Sequence, residues 1–448
     1  MSEPGPRVVI VGGGFGGIAA AKALRTAPTR NILIDRNNHH VFQPLLYQVA
    51  TSVLGPAQIS APIRSILRKQ KNTTVIMGDV TGVDKEQRCV FVDDADREHV
   101  SVHYDYLILA TGVRHSYFGH NEFEKFAPGL KSLADAVEIR NKILKAFEIA
   151  EAEEDVSHHR DLLTFVLVGA GPTGVEMAAA LAIFVRTTLR SDFRRIDPTS
   201  ARIVLLDAAP KVLGTFAPDL SGAAEDRLQK VGVEVRLGHA VEKIDEEGVI
   251  VAGERIASRT VIWTAGVAPS PAGKWLDVET DRAGRVRVQG DLRVPGHSEI
   301  FVIGDTASLD QDGKPLPGVA QVAMQQGRYA GKLIRRHVQG KNGTKPFRYF
   351  DKGNMAVVGK GYAVLQSGRV KIHGLLAWLA WAAIHILYLA QASLRISVFL
   401  QWLWAFFTGD RGSRLIVERQ TFKKPAQSNA PSSTISPHQT KPELQPRH

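Results

Sequence analysis

The chain of 448 residues contains a single cysteine, Cys89. One thiol excludes an internal disulfide, a CxxC redox pair and a cysteine-ligated iron–sulfur cluster. Long apolar runs are nearly as scarce. Only residues 374–392 approach the roughly 20 residues that a membrane-spanning helix needs. Acidic residues are outnumbered, 45 Asp and Glu against 56 Lys and Arg, for a formal charge of +11. That balance suits an anionic partner, whether nucleotide phosphate, nucleic acid or acidic lipid. No residue pattern asks for a metal: "LDQDGKP" (309–315) starts like a calcium loop but lacks the later ligands, so a turn between strands is expected. The first strand-like run begins at Arg7, which leaves no room for a signal or transit peptide, so the folded body is expected to stay in the compartment where it is made.

What the chain does have is a repeat. "RVVIVGGGFGGIAAAKAL" (7–24) is an apolar run followed by Gly12, Gly14 and Gly17 and an Ala-rich helix pattern. "FVLVGAGPTGVEMAAAL" (165–181) repeats it with Gly169, Gly171 and Gly174. The first copy leads to "LILATGV" with Thr111 and Gly112, the second to "VIWTAGV" with Ala265 and Gly266. A strand, a GxGxxG turn and a helix are what a dinucleotide pyrophosphate requires, because the glycines admit backbone amides to the anion at a helix N-terminus. An acidic residue ending the next strand then holds the adenosine ribose, and Asp35 in "NILIDRN" and Asp207 in "RIVLLDAAP" supply it. An acid at Asp207 repels a 2′-phosphate and points to NAD over NADP. The alternative is two glycine turns in an unrelated α/β protein with surface aspartates, which leaves the matched spacing to coincidence.

The two fingerprints together with "LILATG" and "IFVIGDTA" (300–307) resemble the two-dinucleotide flavoprotein family. The resemblance implies an N-terminal fold holding non-covalent FAD and an inserted fold holding NADH. It assigns Gly12, Gly14, Gly17, Asp35, Thr111, Gly112, Gly304 and Asp305 to FAD, and Gly169, Gly171, Gly174, Asp207, Ala265 and Gly266 to NADH. Thiol-dependent members, the disulfide reductases and sulfide:quinone oxidoreductases, are removed by the lone cysteine. Soluble ferredoxin or rubredoxin reductases and membrane-bound NADH:quinone dehydrogenases remain.

The C-terminus bears on that choice. "GLLAWLAWAAIHILYLAQA" (374–392) and "ISVFLQWLWAFF" (396–407) carry four of the six tryptophans. Two helices lying in one leaflet, with tryptophans at the headgroup level and Lys371, Arg395, Arg411 and Arg414 on acidic lipid, are the expectation. A transmembrane helix and a buried dimerisation hairpin are the alternatives. "HHVFQPLLYQVATSVLGP" (39–56), "AQVAMQQG" (320–327), "DKGNMAVVGKGYAV" (351–364) and "DRGSRLI" (410–416) resemble the type II, non-proton-pumping NADH:quinone dehydrogenases over nearly the whole chain. That resemblance implies a quinone pocket at Gln321 and Gln325, on a helix whose start at Gly318–Ala320 faces the flavin. It sets Glu176 beside nicotinamide and flavin to assist proton delivery, although the residue alone reads as a carboxylate favoured by the helix dipole. Tyr47 and Gln48 are expected to line the flavin, with packing as the rival role, and Gln326 to be structural.

The expected fold is α/β, with two tandem Rossmann-like dinucleotide-binding domains and a C-terminal amphipathic helical membrane-anchoring region. The FAD domain (1–115 and 291–345) is interrupted by the NADH domain (116–290), followed by the membrane region (346–423) and a disordered tail (424–448). The expected partners are a quinone (ubiquinone or menaquinone), a membrane surface through residues 372–410 and a second copy of the chain, with no nucleic acid. The expected place is the cytoplasmic face of a bacterial inner membrane. A soluble reductase of ferredoxin or rubredoxin, and a membrane-docking sensor without turnover, are the competing functions.

Overall fold

Two runs of aliphatic residues, each closed by glycine, seed two parallel sheets. The computed structural model describes residues 5–341, 343 and 345–417. Arg7–Val11 lies parallel between Arg30–Asp35 and Tyr106–Leu109, and Thr73–Met77 continues the sheet beyond Arg30–Asp35. Val8, Val9 and Ile10 are wholly buried, as a strand covered on both faces should be. In the second sheet Thr164–Val168 lies between Arg202–Asp207 and Thr260–Trp263, with Val233–Leu237 outermost. The four strands fall in the same order in both, and each outermost strand runs on into a three-stranded antiparallel meander, at 79–103 and at 241–257. The sequence repeat is therefore a repeat of architecture.

The first sheet is finished late. His297–Val302 and Arg293–Val294 join it beside Tyr106–Leu109, after the second sheet is complete. A ribbon of Val113–His115 against Val267–Pro269 pairs the exits of the two repeats.

Five helices matter for the site: α1 (Phe15–Ala23), α2 (Pro172–Ile183), α3 (Ala320–Val338), α4 (Leu375–Tyr388) and α5 (Ala392–Thr408). The small residues of α3 serve its approach to α1: a Cβ on Gly327 would stand 2.1 Å from the Gly16 carbonyl oxygen, and one on Gly331 2.7 Å from that of Ala20. The segment 309–315 is a hairpin turning at Asp312 and Gly313, both with positive φ.

Among the described residues no helix is long and apolar enough to cross a membrane. The run 374–392 ends its helix at Tyr388, and Gln391 starts the next one. The two helices are not amphipathic in the expected sense, because both faces are apolar. Ala377, Trp381 and Val398 join the core that includes Phe165 and Ile203, while Leu376, Leu379, Leu387, Ile396, Phe399, Leu400, Leu403 and Phe407 are exposed.

Two further expectations for this region are corrected. Trp381 is buried, stacks on Trp402 with ring centroids 5.1 Å apart, and neither faces outward as an interfacial anchor. Of the four cations expected on lipid, Lys371 pairs with Asp219, Arg414 with Asp192 and Asp410, and Arg411 is buried. Ion pairing and burial thus leave only Arg395. The expected tail, 424–448, lies outside the described residues.

Candidate active site

Helices α1, α2 and α3 start at Gly14, Gly171 and Val319 with no side-chain cap and no acidic residue in the first turn. Among the described residues no side chain answers their free amides and positive dipole ends, which makes three anion-seeking sites. Both fingerprints divide the work among their glycines identically. Gly12 and Gly169 turn the chain at φ of 106° and 109°. Gly14 and Gly171 face open space, with nothing within 4 Å of where a Cβ would stand. Gly17 and Gly174 let helix meet strand, since a Cβ on either would lie 1.8 Å from the carbonyl oxygen of Gly12 or Gly169.

The two carboxylates are equivalent as well. Asp35 accepts from the amides of Gly13 at 2.6 Å and Asn37 at 2.7 Å. Asp207 accepts from those of Ala170 at 2.5 Å and Ala209 at 2.7 Å. The insertion 183–200 does not displace Asp207, because it continues α2 through a π-helical turn, Phe184–Thr188, and rejoins the sheet in register. Arg36 turns away to pair with Asp79. His40, which sequence reasoning left without a role, braces the first loop: its Nδ1 lies 2.9 Å from the Gly13 carbonyl oxygen, and burial lowers its pKa.

At the carboxyl ends of the neighbouring strands Tyr106–Leu109 and His297–Val302, where open α/β sheets bind ligands, Thr111, Gly112, Gly304 and Asp305 come together. Thr306 donates to the Gly112 carbonyl at 3.0 Å, and Thr111 Oγ1 lies 2.5 Å from Ser270 Oγ. Gly304 sits at φ 72°, and its amide donates to Gln326 Oε1 at 2.6 Å, the structural role expected of Gln326. Burial raises the Asp305 carboxyl above its usual range, opposed by the charges of Lys131 and Arg285. Ala265 packs on the second fingerprint, its amide nitrogen 2.6 Å from a Cβ built on Gly169.

The glutamines of α3 differ in how they are used. Gln325 spends both amide atoms on the backbone of Phe350, donating at 2.9 Å and accepting at 3.1 Å. Gln321 donates to the Gly353 carbonyl at 3.0 Å, but its buried Oε1 has no partner among the described residues. A buried amide oxygen left open is unusual and marks a place for a donor.

Glu176 lies in the second turn of α2, buried, and accepts from the Val357 amide at 3.2 Å. Burial pushes its pKa up to about 8, so it carries its proton at neutral pH. Residues 353–357 therefore contact Gln321 at one end and Glu176 at the other, a reach of about 13 Å for an extended chain. Tyr47 is buried nearby; burial and then the Glu176 charge raise its pKa well above normal. Gln48 donates to Tyr47 Oη at 3.0 Å and accepts from Trp402 Nε1 at 2.7 Å, which ties α5 into this wall. Arg411 donates to the carbonyls of Thr51 and Ala180 and lies over Phe184. Burial lowers its pKa to about 9, still protonated at neutral pH. The sequence reading puts Arg411 and Trp402 at the lipid surface because their actual partners lie more than 200 positions away.

Residues 6–327 match the model of the pyridine nucleotide-disulphide oxidoreductase family. Over 429 residues the chain is 45% identical to the type II NADH:quinone oxidoreductase Ndh of Mycobacterium tuberculosis, covering 93% of this chain and 92% of that one. The chain belongs to the type II NADH:quinone oxidoreductases. A second relative from that organism, the type II NADH:quinone oxidoreductase NdhA, is 43% identical over 93% of this chain and 91% of its own length. The NDH2 of Plasmodium falciparum, solved in complex with NADH, superposes with a TM-score of 0.83 at 20% identity, over 92% of this chain and 100% of that one, a likeness of fold. For a type II NADH:quinone oxidoreductase inside a family described by disulphide chemistry, the fully buried Cys89 is telling: it stands in the first meander and no second cysteine exists.

Proposed function

We propose that the chain oxidises NADH and passes the electrons through FAD to a quinone without pumping protons, working as a respiratory enzyme at a membrane surface. The enzyme is FAD-dependent and takes NADH as co-substrate. Both cofactors suit what the residues offer: three uncapped helix starts, two open glycine cradles and two ribose-type carboxylates. When bound, FAD supplies the two-electron relay between nicotinamide and quinone.

The chain's own part is to position and to supply protons. Gly12, Gly14, Gly17 and Asp35 would hold the FAD adenosine diphosphate, with Gln48, Thr111, Gly112, Gly304, Asp305 and Ala320 about its flavin end. Gly169, Gly171, Gly174, Asp207, Ala265 and Gly266 hold NADH, with Glu176 beside its nicotinamide. The uncapped α3 amides would favour negative charge on a flavin held there. A protonated Glu176 can give up its proton as the quinone oxygens gain charge. Because Gln48 donates to it, the Tyr47 hydroxyl keeps its own proton for another acceptor. The observation that carries this arrangement is the segment 353–357, which binds Gln321 and Glu176 together.

Gln321 is the quinone-facing amide and Gln325 its brace. Gln321→Ala is expected to raise the quinone KM about tenfold, the value of one hydrogen bond, while NADH reduces the flavin at an unchanged rate. Gln325→Ala hands the exposed Phe350 amide and carbonyl to water and lowers stability by no more than about 1 kcal/mol, read in thermal melts.

The membrane side of the proposal rests on the exposed apolar outer faces of α4 and α5, too large a patch to leave in water. The enzyme sits peripherally, on the cytoplasmic face, and the working unit is a homodimer, which light scattering in detergent reads directly. Neither mycobacterial relative is a ferredoxin or rubredoxin reductase, so that alternative has nothing in its favour. The deciding experiment adds NADH to the purified protein and follows the flavin absorbance. Bleaching, then recovery on adding a soluble quinone, is expected; recovery with ferredoxin alone would overturn the function.

A further inference from the structure

With Arg411 buried and Arg414 and Lys371 paired with carboxylates, the unpaired cations lie elsewhere. A cleft of about 670 Å³ opens beside the link between α4 and α5, lined by Lys22, Arg25, Arg68 and Lys69 together with Ala390 and Gln391 of the link and the first two residues of α5. Partial burial, and then the charges of Arg328 and Arg395, lower the Lys22 pKa, so two more cations crowd the same place. Among the described residues none of these six pairs with a carboxylate, whereas Lys371 and Arg414 both do. The wall adds no acid of its own: α5 begins here with no side-chain cap and no acidic residue in its first turn. Gln391, between the two helices, is already bonded to Ser65 at 2.9 Å.

Such concentrated like charge is unfavourable unless an anion answers it. We propose that this cleft holds the phosphate of an anionic phospholipid headgroup, drawn from the bilayer on which α4 and α5 rest. The inference depends on that membrane reading and sharpens it to one site. A lipid suits the cleft better than a soluble anion because exposed Leu387 and Ile396 flank the link, one on each helix. A phosphate seated between the cations leaves its acyl chains over this apolar face.

The test is flotation of the full-length holoenzyme with vesicles of phosphatidylcholine alone or mixed with phosphatidylglycerol. A double variant, Lys22→Gln with Arg68→Gln, is compared with a charge-matched control on surface lysines remote in sequence, Lys125→Gln with Lys243→Gln. With each basic residue worth about 1 kcal/mol at an anionic surface, the cleft variant should lose about tenfold or more of its affinity for the anionic vesicles. Its binding to neutral vesicles, its flavin content and its turnover with a soluble quinone should stay as in the parent, and the control should lose clearly less. Equal losses in variant and control, or no loss in either, would overturn the cleft while leaving the membrane reading standing. Parent protein that floats with neither vesicle would overturn both. If inorganic phosphate, at ionic strength matched with chloride, abolishes the preference for anionic vesicles only in proteins with an intact cleft, and those vesicles do not compete for it, the site belongs to a free anion and the lipid assignment falls.

Discussion

Glu176→Gln is expected to make the protein more stable in alkali and much slower with quinone. The carboxyl ionises at about 8 in the folded protein, against 4.5 for an ordinary glutamate, because it is buried. From pH 4.5 upward the unfolded chain gives up this proton while the folded one keeps it, so stability falls as pH rises and the loss is complete once pH passes 8. Glutamine cannot ionise and can still accept from the Val357 amide. The variant should therefore melt with the parent near pH 4 and progressively above it from pH 5 to 8. The gain reaches a few kcal/mol at most, about 1.4 for each pH unit of displacement. Reduction of the flavin by NADH should survive, whereas reoxidation by quinone should slow about a hundredfold, as removing a general acid does. In the parent, quinone turnover should decline above pH 8, and this limb should vanish in the variant. Unchanged quinone turnover would remove Glu176 from proton delivery and leave it a packed carboxyl.

Gly17→Ala is expected to yield protein without flavin, while Gly14→Ala yields folded protein that holds flavin weakly. The added methyl at Gly17 would stand 1.8 Å from the Gly12 carbonyl oxygen, which belongs to backbone and cannot swing aside. Either α1 or the turn must move, at a cost of about 3 kcal/mol, the upper end for overpacking, and the pyrophosphate cradle opens with it. At Gly14 nothing stands within 4 Å, so a methyl enters only the space kept for the ligand. The two are separated by measuring thermal melts of the flavin-free proteins alongside the flavin-to-protein absorbance ratio. Gly14→Ala should match the parent melt, and Gly17→Ala should fall below it. Full flavin in Gly17→Ala would show that the helix–strand contact can give.

Features that depend on backbone chemistry over a short stretch were legible in the sequence. A glycine that must take positive φ, or let a helix touch a strand, leaves a mark at fixed spacing, so both glycine turns and the strand-ending aspartates bonded to them could be placed. Asp207 could be placed even behind its insertion, because it closes a continuous apolar run (203–206) of the kind a strand buried on both faces shows. Side-chain partners arriving from far along the chain were not legible. Nothing in "AQVAMQQG" shows that Gln325 is bound to Phe350 while Gln321 keeps a free oxygen. Arg411 looks like any surface arginine until Thr51, Ala180 and Phe184 close around it. The tryptophans misled for a related reason. Composition gave their density, but only packing decides that Trp381 and Trp402 turn inward while Trp404 is 59% exposed.

The hydrogen bond from Trp402 to Gln48 has a practical consequence for anyone who wants this enzyme in water. Cutting away α4 and α5 would remove the Trp402 indole that donates to Gln48 and loosen the wall that Gln48 forms with Tyr47. A detergent-free form should instead keep both helices whole and carry Ser, Gln or Lys at outward positions such as Leu376, Phe399, Leu403 and Phe407. The repainted protein should turn over dissolved short-chain quinones at the parental rate, whereas the shortened one should not.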